Sequence, residues 1–147
     1  MASGQKSKSK HPARPTSVAL LWGLDRGTPK GDAVRAILKE LGVVAKTPLP
    51  ERLGDTAAAA LGLVGARPAL MPYTGPIPEC EFMLLANFPE PLLKEFLARS
   101  RQAGAVVGCK AVLTKANRDW RVVDLIGEVA KEHATVTAQM QQVSPQA

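Results

Sequence analysis

Two stretches of this 147-residue chain repeat one order of apolar runs and breaks. ALLWGL, a turn containing proline, a helix-spaced segment ending in LKELG and then VVAKTPLP parallel MLLANF, a second proline-containing turn, a segment ending in SRQAG and then CKAVLT. Internal repetition constrains a fold more than any single element does, because the units must bury their apolar faces against each other. Strands are expected at 17–24, 43–47, 81–88 and 109–114, each a short apolar run bounded by Gly, Pro or polar residues. Between the first two, Val34, Ile37, Leu38 and Leu41 recur at helical spacing and stop at Gly42; between the last two, Leu92, Leu93, Phe96 and Leu97 stop at Gly104. The expected class is α+β and ferredoxin-like: repeated β-α-β units form a four-stranded antiparallel sheet with both helices on one face. An open α/β sandwich is the alternative.

The halves are joined by an insert, 49–78, whose Ala-rich part at 51–63 is expected to be helical and whose part at 65–78 carries four prolines and reads as a loop. After the fourth strand an extra C-terminal helix is expected, with Asn117 or Asp119 as its N-cap. Val122, Ile126, Val129, His133, Val136 and Met140 form its apolar stripe. The strand residues 18–22 and 82–86 are apolar on both alternating faces, so the sheet needs cover on both sides. The C-terminal helix, the insert or a partner subunit would supply it, and a homodimer through an apolar sheet face or the C-terminal helix is the expected assembly. One domain is expected over 17–140, flanked by a disordered basic tail at 1–16 and a disordered C-terminus at 141–147.

The formal net charge of +6 points first towards nucleic acid, but its location changes the meaning. Lys6, Lys8, Lys10 and Arg14 lie in the tail, which has no carboxylate, so the remainder holds 15 basic against 13 acidic residues, a net +2. Nucleic-acid binding is therefore not expected except through residues 1–16. With 46% hydrophobic and 22% charged residues the composition is that of a globular domain. Cys80 and Cys109 are too few for a disulfide framework. No apolar run has signal-peptide or membrane-span length, so a cytoplasmic protein without membrane contact is expected.

The turn at 23–31 is glycine-rich and opens a helix, making Gly27, Lys30 and Gly31 candidate anion ligands, but it fits neither the P-loop nor the dinucleotide fingerprint. Lys110, Thr114, Asn117 and Trp120 cluster where the fourth strand meets the last helix and are candidate ligand-binding residues. Asp124, Glu128 and Glu132 lie four apart on that helix, with His133 beside them; Glu128, Glu132 and His133 complete the candidate set. Metal-ligand spacing is lacking, the nucleophile motif G-x-S-x-G is missing, and the third strand does not carry the aromatic pattern of an RNA-binding sheet. The reading is a non-catalytic binding or regulatory module with no metal or cofactor. The alternative is an enzyme or anionic-metabolite binder that uses Lys110, Glu128, Glu132 and His133.

EFMLLANF, LLKEFLARSRQAG, CKAVLTKANRDW and LIGEVAKEH also carry a resemblance. In the order of a Met-Leu strand, K-A-V-L-T, x-x-N-x-x-W and L-x-x-E-x-x-x-E-H, the chain resembles a bacterial family known as domain of unknown function number 3783. The resemblance covers 81–133 well and the first half in outline. It implies that Lys110, Thr114, Asn117, Trp120, Glu128, Glu132 and His133 occupy the family's signature positions. It brings no activity with it.

Overall fold

The computed structural model describes residues 16–143, with side chains described as far as Val136. The basic residues of the tail, His11 and the end of the chain at 144–147 lie outside the described residues.

The chain is mixed α and β around one open four-stranded sheet. Strand β1 (Val18–Trp22) leads to helix α1 (Pro29–Glu40) and strand β2 (Val44–Lys46). The insert holds a 3-10 turn (Pro50–Arg52) and a single helical turn, α2 (Ala57–Ala60). Strand β3 (Phe82–Ala86), helix α3 (Glu90–Gln102) and strand β4 (Lys110–Val112) repeat the first unit, and helix α4 (Val122–Val143) follows. Local chemistry explains the helix limits. Thr28 caps α1 by accepting the Gly31 N–H at 3.1 Å, and Pro29 fills the first helical position, where its missing N–H costs nothing. Gly42 and Gly104, the expected stops, both take positive φ, +77° and +66°.

The strand order is β2-β1-β3-β4. β1 and β2 are parallel, β3 and β4 are parallel, and only the central pair is antiparallel, in register from Val18↔Ala86 to Trp22↔Phe82. This corrects the ferredoxin-like expectation of a wholly antiparallel sheet and agrees with the open-sandwich alternative. In the ferredoxin-like arrangement each unit is split by a strand of the other. Here each unit keeps its two strands adjacent, and the long insert between β2 and β3 frees them from any hairpin that would bring them together.

Both faces of the central strands are covered from within the chain. Ala19, Leu21, Met83 and Leu85 pack against Val34, Ile37 and Leu38 of α1 and Phe96 of α3. Val18, Leu20, Phe82 and Leu84 pack against Leu53, Ala57 and Leu61 of the insert and Val122, Leu125 and Ile126 of α4. Each such large apolar side chain contributes about 1.5–3 kcal/mol when withdrawn from water. The insert and the C-terminal helix thus share the role for which a partner had been one option. The sheet face is closed to a homodimer, while α4 remains exposed over 131–136.

Two further expectations change. The insert helix at 51–63 is interrupted, because Asp55 is buried with its carboxylate turned to Arg52 and Ala69, and Thr56 starts a new turn by accepting the Ala59 N–H. Neither Asn117 nor Asp119 caps α4. The N–H groups of Val122 and Val123 donate instead to the carbonyls of Asp55 (2.9 Å) and Leu53 (3.0 Å). In return Ala57 and Ala58 of α2 donate to the carbonyls of Trp120 (2.8 Å) and Arg118 (2.9 Å). The two helices satisfy each other's unpaired first-turn donors, which side-chain caps would otherwise do. The helix α4 also includes 141–143, where the sequence reading begins a disordered terminus. No described helix is long and apolar enough to cross a membrane.

Candidate functional site

A groove of about 880 Å³ opens at one end of the sheet, outside the carboxyl ends of the parallel strands β1 and β2 and beside the entry to β3. Open α/β sheets offer ligand sites there, because the loops leaving parallel strands diverge and leave a crevice. Three segments build it: the β1–α1 loop with Gly23, Asp25 and Arg26; the β2 exit with Thr47, Pro48, Leu49 and Pro50; and the end of the insert, Ile77 to Glu81.

Trp22, the last residue of β1, donates its indole N–H to the Pro78 carbonyl at 3.0 Å and so ties the insert across the strand end. Gly23 makes the crossing possible. Its φ is +73°, and a Cβ there would lie 2.4 Å from the Cys80 carbonyl oxygen, so only glycine lets the two backbones approach. On the other side Arg35 of α1 donates through Nε and Nη2 to the Leu24 carbonyl (3.2 and 3.0 Å) and through Nη2 to Thr47 Oγ1 (2.8 Å). The guanidinium therefore clamps the exits of both parallel strands. Lys30 Nζ pairs with Glu81 at 2.7 Å. Leu49 and Ile77 leave apolar surface in the groove, being 60% and 46% exposed. The Cys80 thiol is pushed above its ordinary range, first by burial and then by the neighbouring Cys109 and Glu81.

The turn singled out as an anion cradle is satisfied internally. The Gly27 N–H donates to Asp32 Oδ1 at 2.9 Å, Thr28 to the Asp25 carbonyl, Gly31 to Thr28 Oγ1 and Asp32 to the Thr28 carbonyl. The Gly27 donor is thus taken by a carboxylate of the chain itself, and Lys30 is paired with Glu81.

The seven residues named around β4 and α4 do not line the groove. Lys110 is in register with Met83, so its side chain lies on the α1 and α3 face of the sheet, opposite to α4. Its ammonium donates to the Val107 carbonyl, and burial pushes its pKa down, with Lys30 adding to the effect and Cys109 opposing it. Thr114 and Asn117 bind each other: the Thr114 N–H donates to Asn117 Oδ1 (2.8 Å) and the Asn117 N–H to Thr114 Oγ1 (3.1 Å). Asn117 Nδ2 also donates to the Val112 carbonyl, so this pair closes the turn after β4. Trp120 is 43% exposed and serves α2 through its carbonyl. Glu128 is half-buried and Glu132 exposed on α4, and the His133 ring lies against Gly108, where a Cβ would come within 2.8 Å of Cε1. Among the described residues, no group of three or more His, Cys, Asp or Glu side chains is placed to hold a metal ion.

Sequence reasoning passed over Trp22, Arg35, Thr47, Glu79 and Cys80. One signal was available: all but Arg35 flank the ends of expected strands, and parallel pairing of the first two strands would have directed attention to their carboxyl ends.

Residues 81–136 match the family model described as Domain of unknown function (DUF3783). The matched segment carries β3, α3, β4 and most of the described part of α4, and it meets the groove only at Glu81. No curated protein and no solved structure matches the chain.

Proposed function

We propose that this is a bacterial cytoplasmic protein acting as a non-catalytic binding or regulatory module, and that its ligand sits in the groove at the carboxyl ends of β1 and β2. One observation carries the reading: a groove of about 880 Å³, a volume ordinary for small-molecule sites, combines apolar walls from Trp22, Leu49 and Ile77 with charged groups from Arg26, Arg35 and Glu79. Within this reading the thiol of the lining is disfavoured as a nucleophile. That thiol, Cys80, is held protonated by burial, and a thiol is a poor nucleophile compared with a thiolate. The bacterial assignment rests on the family resemblance, and the cytoplasmic one on the two unpaired cysteines.

A thermal-shift screen of metabolites and nucleotides tests the proposal, because a molecule that binds only the native state raises its midpoint. Ile77→Arg places a charged chain in the groove at an exposed position with little cost to folding. Hits are expected with the wild-type chain and are expected to disappear in Ile77→Arg. Hits that persist unchanged in the variant would place binding elsewhere and sink the proposal.

A further inference from the structure

The groove has an electrical direction, and strand order sets it. β2, β1 and β3 lie side by side, so Thr47 with Arg35 stands at one end, Trp22 in the middle, and Glu79 with Glu81 at the other. Arg35 is held by a carbonyl and a hydroxyl, neither of them charged, and it is in no ion pair among the described residues. Glu81 is neutralised by Lys30, whereas Glu79 is exposed and is likewise in no ion pair among the described residues. Asp25 and Arg26, adjacent in the β1–α1 loop, add one charge of each sign to the lining. A cation and an anion in no ion pair among the described residues therefore line the groove beside Trp22 and the apolar surface of Leu49 and Ile77.

Resting on the groove reading above, we infer that the ligand is a short peptide with free ends, its carboxylate towards Arg35 and its ammonium towards Glu79. Size agrees with charge. Two strand spacings separate the ends of the groove, about 10 Å. An extended peptide advances about 3.3 Å per residue, so about three residues span that distance. Arg35 Nη1, the guanidinium nitrogen that Leu24 and Thr47 leave free, can donate to a carboxylate, and an apolar central side chain would meet the indole and the two aliphatic residues. The proline rings of the rim, Pro48, Pro50 and Pro78, add apolar surface without backbone N–H groups.

Calorimetric titration of the full chain with alanyl-leucyl-alanine tests this against its N-acetylated and C-amidated forms. The free-ended peptide is expected to bind, and either cap to weaken it by about tenfold, the scale of one charge-assisted contact. Glu79→Gln, at an exposed position, is expected to weaken the free peptide by a similar factor while leaving the N-acetylated peptide unchanged, which a merely structural effect would not do. Equal binding of all three peptides would overturn the inference and leave groove binding intact. So would silence from the peptides beside a metabolite hit that Ile77→Arg abolishes. If neither peptide nor metabolite responds, both readings fall.

Discussion

The Asp55 carbonyl accepts the Val122 N–H at 2.9 Å, while the carboxylate of the same residue accepts the Ala69 N–H at 2.8 Å and faces Arg52 at the same distance. One residue of the insert thus fixes the start of α4, its own loop and the 3-10 turn.

Asp55→Ala keeps the carbonyl and removes the carboxylate, leaving the Ala69 N–H and the half-buried Arg52 guanidinium without their partner. A loss of about 2 kcal/mol in urea denaturation is expected, with faster amide exchange at Ala69. Asp55→Asn retains an acceptor for Ala69 and should lose less. A loss in Asp55→Ala below about 0.5 kcal/mol would show that the clamp contributes nothing.

Two glycines inside helices should respond in opposite directions. At Gly31 a Cβ would lie 2.0 Å from the Asp25 carbonyl oxygen and 2.6 Å from Thr28 Oγ1. Gly31→Ala is therefore expected to destabilise by more than about 2 kcal/mol, although alanine is the better helix former. Gly127 on α4 has nothing within 4 Å of the corresponding point, so Gly127→Ala should stabilise by about 0.5–1 kcal/mol. Thermal denaturation of the two variants provides the comparison, and shifts of the same sign would contradict the packing described for α1.

The thiols of Cys80 and Cys109 are both raised above 9.0, mainly by burial. The folded protein keeps protons that the unfolded chain releases near that pH, so their stabilising contribution is complete below it and is lost as pH climbs through the raised folded values. Lys110, lowered by burial, acts in the opposite sense, and removing Cys109, which opposes that lowering, strengthens its effect in the same direction as the loss of the thiols. The alkaline loss of stability should be smaller in a Cys80→Ser, Cys109→Ala double variant than in the wild type. Below about pH 7, where the thiols stay protonated in both the folded and the unfolded chain, the stability difference between the two should not change with pH; a difference that varies there would contradict the assignment. At pH 8, alkylation of Cys80 should be slower than that of a free thiol when followed by mass spectrometry.

The segment that matches the family model does not contain its own supports. β3 is fully buried and pairs along its length with β1, and the first turn of α4 is capped by the insert. A fragment covering 79–143 exposes one edge of β3 and loses the cover that α1 gives one face and the insert gives the other, and it should show no cooperative unfolding transition by circular dichroism. A sharp transition in that fragment would establish the second unit as independent.

Local structure is written in the sequence by near neighbours. The four strands, the two repeat helices with their glycine stops and the last helix fall within a few residues of expectation, because apolar period and breaking residues act between near neighbours. Long-range pairing left no such mark. The interruption at Asp55 depends on Ala69, the cap of Val122 on a carbonyl 67 residues earlier, and Thr114 and Asn117 close a turn where a helix cap was expected. The candidate residues around β4 and α4 were near in sequence, yet the pleat of β4 turns Lys110 away from α4.

By itself the sequence determined a repeated strand-helix-strand pattern, central strands apolar on both faces, and a folded part nearly free of net charge, since each follows from the order of side chains along the chain. Only the tertiary structure decided which strands lie side by side, that the insert and α4 together close the second face, and that Trp22, Arg35 and Glu79 border one groove. Those outcomes depend on hydrogen bonds and apolar contacts between residues far apart in the chain. Their free energies become favourable only when both partners are in place, and no local pattern records them.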